Sequence, residues 1–257
     1  YFMQYKERVP EELFSGEHYF GRPADITDKI VSRRIGLLEQ YPAFTGKQYT
    51  HLDIGCGNGA SMFLLSQKMK SCVGIDIVND YEQDINDYLK KNDISNCRFQ
   101  CVDIEKDISP LRQQFDRITS FEVIEHLHDE NSVSIYRELL KDDGLMAISV
   151  PNKWWIFETH GAKLPLLPWN RIPFFSWLPR FLHERWANAR MYTKGRIAQL
   201  LERNGFEVLH SSYITAPMDV LKEGRLKRFL VKHFFKNDTT KFPFKSTAIL
   251  VIAGKRK

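Results

Sequence analysis

From residue 49 onward, short β-rich apolar runs alternate with stretches of helical periodicity. "YTHLDIG" (49–55) predicts a buried strand, and "SMFLLSQKM", after the glycine-rich "CGNGA", predicts a helix. "CVGIDI" (72–77), "CRFQCVDI" (97–104) and "FDRITSFEVI" (115–124) predict the next three strands. A helix around "NSVSIYRELLK" leads through Asp143-Gly144 into a fifth strand, "LMAISVP" (145–151). Such alternation forms right-handed crossovers, so the pattern predicts an α/β fold with a mostly parallel sheet.

Beyond a long aromatic segment, "TKGRIAQLLERNGF" (193–206) predicts a helix started by Thr193 and stopped by Gly205. "FEVLHSSYIT" (206–215) and "STAILVIAGK" (246–255) predict two more strands that pair antiparallel around their connection. Near the N-terminus a leading helix is expected, with Ile26, Ile30, Leu37 and Leu38 near one face. The expected organisation is a single domain. Residues 1–44 form an N-terminal helical cap, 45–151 the core, and 152–192 an insertion. Residues 193–257 complete the fold and include a basic amphipathic insertion at 217–245.

Composition changes this picture little. A chain of 257 residues with 43% hydrophobic side chains sustains one sizeable core. A net charge of +5 fits an anionic partner, whether phosphate, RNA or lipid headgroup, without selecting among them. Cys56, Cys72, Cys97 and Cys101 form no CxxC pair, which favours reduced thiols and a cytoplasmic setting. No apolar run reaches the ~18 residues of a membrane span. The first residue is Tyr1, which is compatible with a trimmed leader.

Chemistry enters at "DIGCGNG" (53–59), where a strand turns into a helix. Gly55, Gly57 and Gly59 let a ligand approach the backbone. Their G-x-G-x-G spacing differs from the dinucleotide G-x-G-x-x-G, and Asp53 would repel a pyrophosphate while attracting an amine. Asp76 ends the second strand, where a carboxylate takes two ribose hydroxyls. Asp103 ends the third and could accept from an adenine amino group.

In this order, "HLDIGCGNG", "GIDI", "CVDIE" and "FDRITSFEVIEHL" resemble the class I S-adenosylmethionine-dependent methyltransferases. The resemblance is strong over residues 45–151 and weak over the last strands. In motif the chain is most similar to the ubiquinone-pathway O-methyltransferases and to glycan-pathway methyltransferases. The resemblance implies a Rossmann-like, seven-stranded, mostly parallel sheet whose last strand is antiparallel, with an aromatic-rich insertion after strand five. It also implies S-adenosylmethionine as cofactor. Asp53, Gly55, Cys56, Gly57, Asn58 and Gly59 would meet its methionine part, Asp76 with Ile77 the ribose, and Asp103 with Ile104 the adenine. Phe121 and Glu122 complete the implied contacts.

"FEVIEHL" admits three roles. Glu125 could simply hold the turn, or His126 with Glu125 could serve as general base. Alternatively, Glu122, Glu125 and His126 could bind a divalent ion. The last resembles the Mg²⁺ motif of small-RNA 3′-end 2′-O-methyltransferases, with His160 and His183 as candidate further ligands. His128 is expected at an exposed helix start. "NPPY", a mark of amino-methylating relatives, is absent, which favours oxygen as the acceptor atom.

The segment Pro151–Trp186 gathers all five tryptophans, yet Pro165, Pro168, Pro173 and Pro179 forbid one long helix. It could form a lid over the acceptor, a small aromatic core, or a membrane contact aided by Lys153, Lys163, Arg171, Arg180 and Arg185. "LKEGRLKRFLVKHFFK" (221–236) predicts a basic amphipathic helix with a stripe of Leu226, Phe229, Leu230, His233 and Phe234. The expected activity is O-methylation of a hydrophobic or lipid-linked small-molecule or glycan acceptor, at the inner face of a membrane. Methylation of RNA ribose 2′-hydroxyls through a divalent ion is the alternative, and a binding module without catalysis a third.

Overall fold

The computed structural model describes residues 26–111, 114–162, 173–218, 221 and 224–256. The first twenty-five residues of the expected cap and Trp169 of the insertion lie outside them. Helix α1 (Lys29–Gln40) precedes strand β1 (Gly46–Ile54), helix α2 (Ala60–Ser66) and β2 (Met69–Asp76). Helix α3 (Glu82–Lys91) leads to β3 (Cys97–Cys101), and β4 (Phe115–Phe121) follows. A short helix α4 (Ile135–Leu139) runs directly into β5 (Leu140–Pro151). The insertion carries α5 (Arg180–Trp186), after which α6 (Lys194–Arg203) enters β6 (Phe206–Thr215). Helix α7 (Arg225–Phe234), a two-residue strand β7 (Thr239–Thr240) and β8 (Ser246–Lys255) close the chain.

The strands lie in the order β3-β2-β1-β4-β5-β8-β6-β7. The pairs from β3 through β5 are parallel, whereas β8 runs antiparallel to both β5 and β6. These are the expected seven strands with β7 added at one edge. Alternation in β8 divides the core. Ile249, Val251 and Ala253 join the layer of α4 and α6, while Ala248, Leu250 and Ile252 join that of α1, α2 and α3. The sheet is buried on both faces, which explains the near-continuous apolar runs of its central strands. β1 pairs with both β2 and β4, so the order reverses there and leaves a crevice beyond their carboxyl ends.

Three local expectations are corrected. Asp143-Gly144 does not lead into strand five but lies within β5, where the register jumps from Phe115 opposite Leu140 to Arg117 opposite Leu145. The third strand stops at Cys101, so Asp103 and Ile104 occupy the following turn. The helix foreseen around "NSVSIYRELLK" is a 3₁₀ turn at Glu130–Ser134 followed by the short α4. The Thr193 hydroxyl accepts from Arg196 N–H at 3.1 Å and Gly205 takes a φ of 81°, as helix start and stop require. All four cysteines are unpaired thiols.

Asp116 pins the amino ends of β1, β4 and β5 together. It accepts from Thr50 N–H at 2.8 Å, Thr50 Oγ1 at 2.7 Å and Lys141 Nζ at 2.8 Å. Burial alone would raise its carboxyl, but these donors outweigh it and hold the pKa at about 2. A depressed carboxylate stabilises the fold above its ordinary pKa of 3.8 and loses that contribution as pH falls through about 2. Urea unfolding at neutral pH should show Asp116→Asn destabilised by about 1–2 kcal/mol. Between pH ~4 and ~2 the gap should close, and a constant gap would reject the assignment.

Candidate active site

The crevice is floored by the glycine loop. Gly55, Gly57 and Gly59 have φ values of 69°, 52° and 81°, the left-handed region that side chains rarely tolerate. A Cβ on Gly55 would meet Val123 Cγ2 at 2.3 Å, so the loop lies directly against the turn after β4. Gly57 N–H donates to Asp76 Oδ2 at 2.9 Å, and Val78 N–H to Oδ1 at 3.2 Å. Asp76 is thereby aimed at the end of β2, with burial as the main cause of its raised pKa. Asn58 Oδ1 accepts from Ala60 N–H at 3.2 Å and starts α2, while Cys56 is buried beneath the loop.

Asp53 is fixed by a buried chain across β1 and β4. Thr119 Oγ1 donates to Asp53 Oδ1 at 2.6 Å and lies 2.7 Å from His51 Nε2. Because the hydroxyl proton points to Asp53, His51 must donate from Nε2. Its imidazole is neutral, with burial lowering the pKa to about 3. Asp53 Oδ2 has no hydrogen-bond partner, and burial raises this carboxyl to about 7, against the Thr119 bond.

Arg34, from the leading helix, was not foreseen. Its guanidinium donates to Glu122 Oε1 at 2.7 Å and sits 5.3 Å from the Phe121 ring, with Nε buried and unpartnered. Sequence held one signal: Arg34 falls on the stripe of Val31, Ile35 and Leu38, where an apolar residue belongs. Glu122 Oε1 also accepts from Ser149 Oγ at 2.8 Å, and its own φ is 58°, a strained value for glutamate. An unpartnered carboxylate oxygen, an unpartnered guanidinium nitrogen and a side-chain-free cradle fit a zwitterionic amino-acid group. That is one end of S-adenosylmethionine. At the other end Ile77 is exposed and Ile104 buried, while Asp103 closes its own turn by accepting from Glu105 N–H and pairing with Lys106.

On the rim beside this cradle, Glu125, His126 and His160 converge, their ligand atoms within 4.8 Å of one another. His160 Nε2 lies 3.6 Å from Glu125 Oε1 and 3.8 Å from Glu122 Oε2. The carboxyl of buried Glu125 meets that of Glu122 and the ring of His160. Arg190 also clamps this turn: its N–H reaches Glu125 O and its guanidinium reaches the carbonyls of Leu127 and His128. Burial first, then Glu122, pushes the Glu125 carboxyl well up, and burial with His160 and Arg190 pushes His126 well down. His126 is therefore a neutral imidazole, the form that a base or a metal ligand requires. His128 is exposed ahead of the 3₁₀ turn. His183 is not a further ligand: it pairs with Glu158 Oε2 at 2.9 Å, buried under Phe175.

A doubly covered, mostly parallel sheet with a glycine loop at its switch point is the fold of the class I methyltransferases. The family profile described as "Methyltransferase domain" matches residues 7–211, and the chain belongs to that family of S-adenosylmethionine-dependent enzymes. A ubiquinone biosynthesis O-methyltransferase of Coxiella burnetii is 26% identical over 180 residues, covering 68% of this chain and 70% of that protein. Its counterpart in Nitrobacter winogradskyi is 27% identical over 165 residues, 63% of this chain and 58% of the relative. Among solved structures, a methyltransferase from Clostridium acetobutylicum superposes with a TM-score of 0.56 at 13% identity, covering 91% of this chain and 93% of its own. The [4+2]-cyclase SpnF superposes at 0.59 with 14% identity, covering 88% and 81%, so the shared fold does not by itself fix a reaction.

Gly55→Ala should bind S-adenosylmethionine poorly and lose about 1–3 kcal/mol of stability. Calorimetry and chemical unfolding check both; wild-type behaviour in each would show that the loop yields.

Proposed function

We propose that this enzyme transfers the methyl group of S-adenosylmethionine to an oxygen of a hydrophobic acceptor entering beneath the tryptophan-rich insertion. The observation that carries this reading is the convergence of His126 and Glu125 on the turn that packs against the glycine loop. The names of the curated relatives, ubiquinone biosynthesis O-methyltransferases, support oxygen as the acceptor atom.

Asp53 would hold the cofactor's ammonium and Arg34 its carboxylate, while Asp76 would take the ribose hydroxyls. Ile77, Asp103 and Ile104 line the adenine, and Phe121 with Glu122 closes the side toward the acceptor. The bound cofactor supplies an activated methyl on a sulfonium. The protein would hold the acceptor oxygen in line with that methyl and its sulfur, which leaves as a neutral thioether, and His126 would take the hydroxyl proton. Glu125, held between Glu122 and His160, would help fix the His126 ring beside the acceptor. Residues of the insertion roof the acceptor and exclude water.

The RNA alternative has one observation in its favour, the convergence of Glu125, His126 and His160. One carboxylate and two imidazoles fit Mn²⁺, Zn²⁺ or Fe²⁺ better than the Mg²⁺ expected from sequence. In that arrangement the ion would lower the pKa of the acceptor hydroxyl. Tritiated methyl donor, incubated with enzyme and fractionated cell extract, should label lipid or small hydrophobic molecules. Label in RNA, abolished by chelation and restored by Mn²⁺, would replace the leading reading. With its own acceptor, His126→Ala should lower kcat by about 10²–10³-fold, and undiminished turnover would remove the base.

Cofactor affinity carries a second check. Only ionised Asp53 attracts an ammonium, so affinity should rise with pH by up to about tenfold per unit below 7, flattening above it. Titration calorimetry of Asp53→Asn should show that slope reduced by about one. An unchanged slope would assign the ammonium elsewhere.

A further inference from the structure

Helix α7 carries apolar side chains on two faces. Its inner face is accounted for: Leu230 and Val231, with Phe235 just beyond the helix, pack on Trp155, Ala216 and Met218. Its outer face is not. Leu226 is 64% exposed and Phe229 54%, with Phe234 at 51% on the border, and none of the helix is buried. Beside it the loop after β7 exposes Phe242 and Phe244, at 55% and 48%. That loop is held in place, since Asn152 Nδ2 at the end of β5 donates to Pro243 O at 2.7 Å and Ser246 O at 2.8 Å.

The charge around these rings has one sign. Arg225, Arg228, Lys232, Lys236 and Lys241 are all exposed, and Lys245 Nζ lies 5.5 Å from the Phe234 ring and 5.4 Å from that of Phe242. Between residues 224 and 245 the sole carboxylate is Asp238, which pairs with Arg33 at 3.3 Å. A helix packed only for the fold would present polar residues outward; this one presents leucine and phenylalanine framed by cations. Such a face repels a second copy of itself. It is convex helix surface, without the solvated groove that tracks a nucleic-acid backbone.

We propose that the outer face of α7, with Phe242 and Phe244, docks on an anionic phospholipid bilayer, the helix lying in the plane of the surface. Leu226, Phe229 and the loop phenylalanines enter the headgroup–acyl boundary, and Arg225, Arg228, Lys232 and Lys236 meet lipid phosphates. The inference does not depend on the methyl acceptor, because docking is read without turnover.

The test is co-sedimentation of the full chain with vesicles of phosphatidylcholine alone or with one quarter phosphatidylglycerol. Binding is expected to the mixed vesicles, at least tenfold weaker to the neutral ones, and weaker still in high salt. Leu226→Ser with Phe229→Ser should lower the partition coefficient more than tenfold. Arg228→Ser and Lys232→Ser should each lower it about fivefold. Circular dichroism and cofactor binding verify that the variants fold. Pelleting by variants equal to wild type would overturn the proposal, as would no pelleting of wild type. Self-association or RNA binding that depends on Phe229, without vesicle binding, would reassign the face to that partner.

Discussion

Everything in the site turns on how Glu122 is held. A glutamate at φ 58° is strained, and the strain persists because several bonds fix it. Arg34 and Ser149 share Oε1, and Glu122 N–H donates to Ser149 O at 2.9 Å. With the backbone reversed there, Val123 packs against Gly55 and the next turn swings Glu125 and His126 to the rim. The glycine loop and the rim of Glu125 and His126 are thus two sides of one short turn. Moving Glu122 would disturb both.

The leading helix is therefore part of the site. Arg34 reaches Glu122, while its neighbour Arg33, buried, donates to Thr215 O, to Phe235 O at 2.7 Å and to Asp238. Two adjacent arginines on α1 fasten the rim of the site and the segment around α7 to the same element. Deeper down, the His51–Thr119–Asp53 chain partly offsets the burial that raises the Asp53 carboxyl to about 7. Asp53 and Arg34 each keep one buried polar atom without a hydrogen-bond partner beside the glycine loop and the turn after β4.

Much of this was legible in sequence because it is local. Strands β6 and β8 begin and end where their alternation predicts, Thr193 and Gly205 bound their helix, and the glycine loop falls at the switch point. The failures share a cause. Asp143-Gly144 looks like a turn, yet strand pairing with β4 absorbs it as an irregularity in β5. Arg34 meets Glu122 across 88 residues, and Thr119, Ser149 and Arg190 reach partners 66, 27 and 63 residues away. Local pattern carries no record of such contacts. His160 was one of two candidate histidines, and only the fold separates it from His183.

The insertion resolves by the same logic. Glu158 divides its carboxylate, Oε2 to His183 on α5 and Oε1 to His160 N–H at 3.1 Å. A buried pair inside the insertion thus sets the backbone that presents His160 to Glu125. Trp155 is buried in the cluster that also seats α7, whereas Trp154, Phe174, Trp177 and Phe181 remain exposed. The aromatic excess therefore divides its labour. One tryptophan builds a small core shared by the insertion and α7, and the outward rings are left for whatever approaches this edge of the sheet. An acceptor carried in a lipid phase would meet those rings first, and the wall behind them is the one that positions His160.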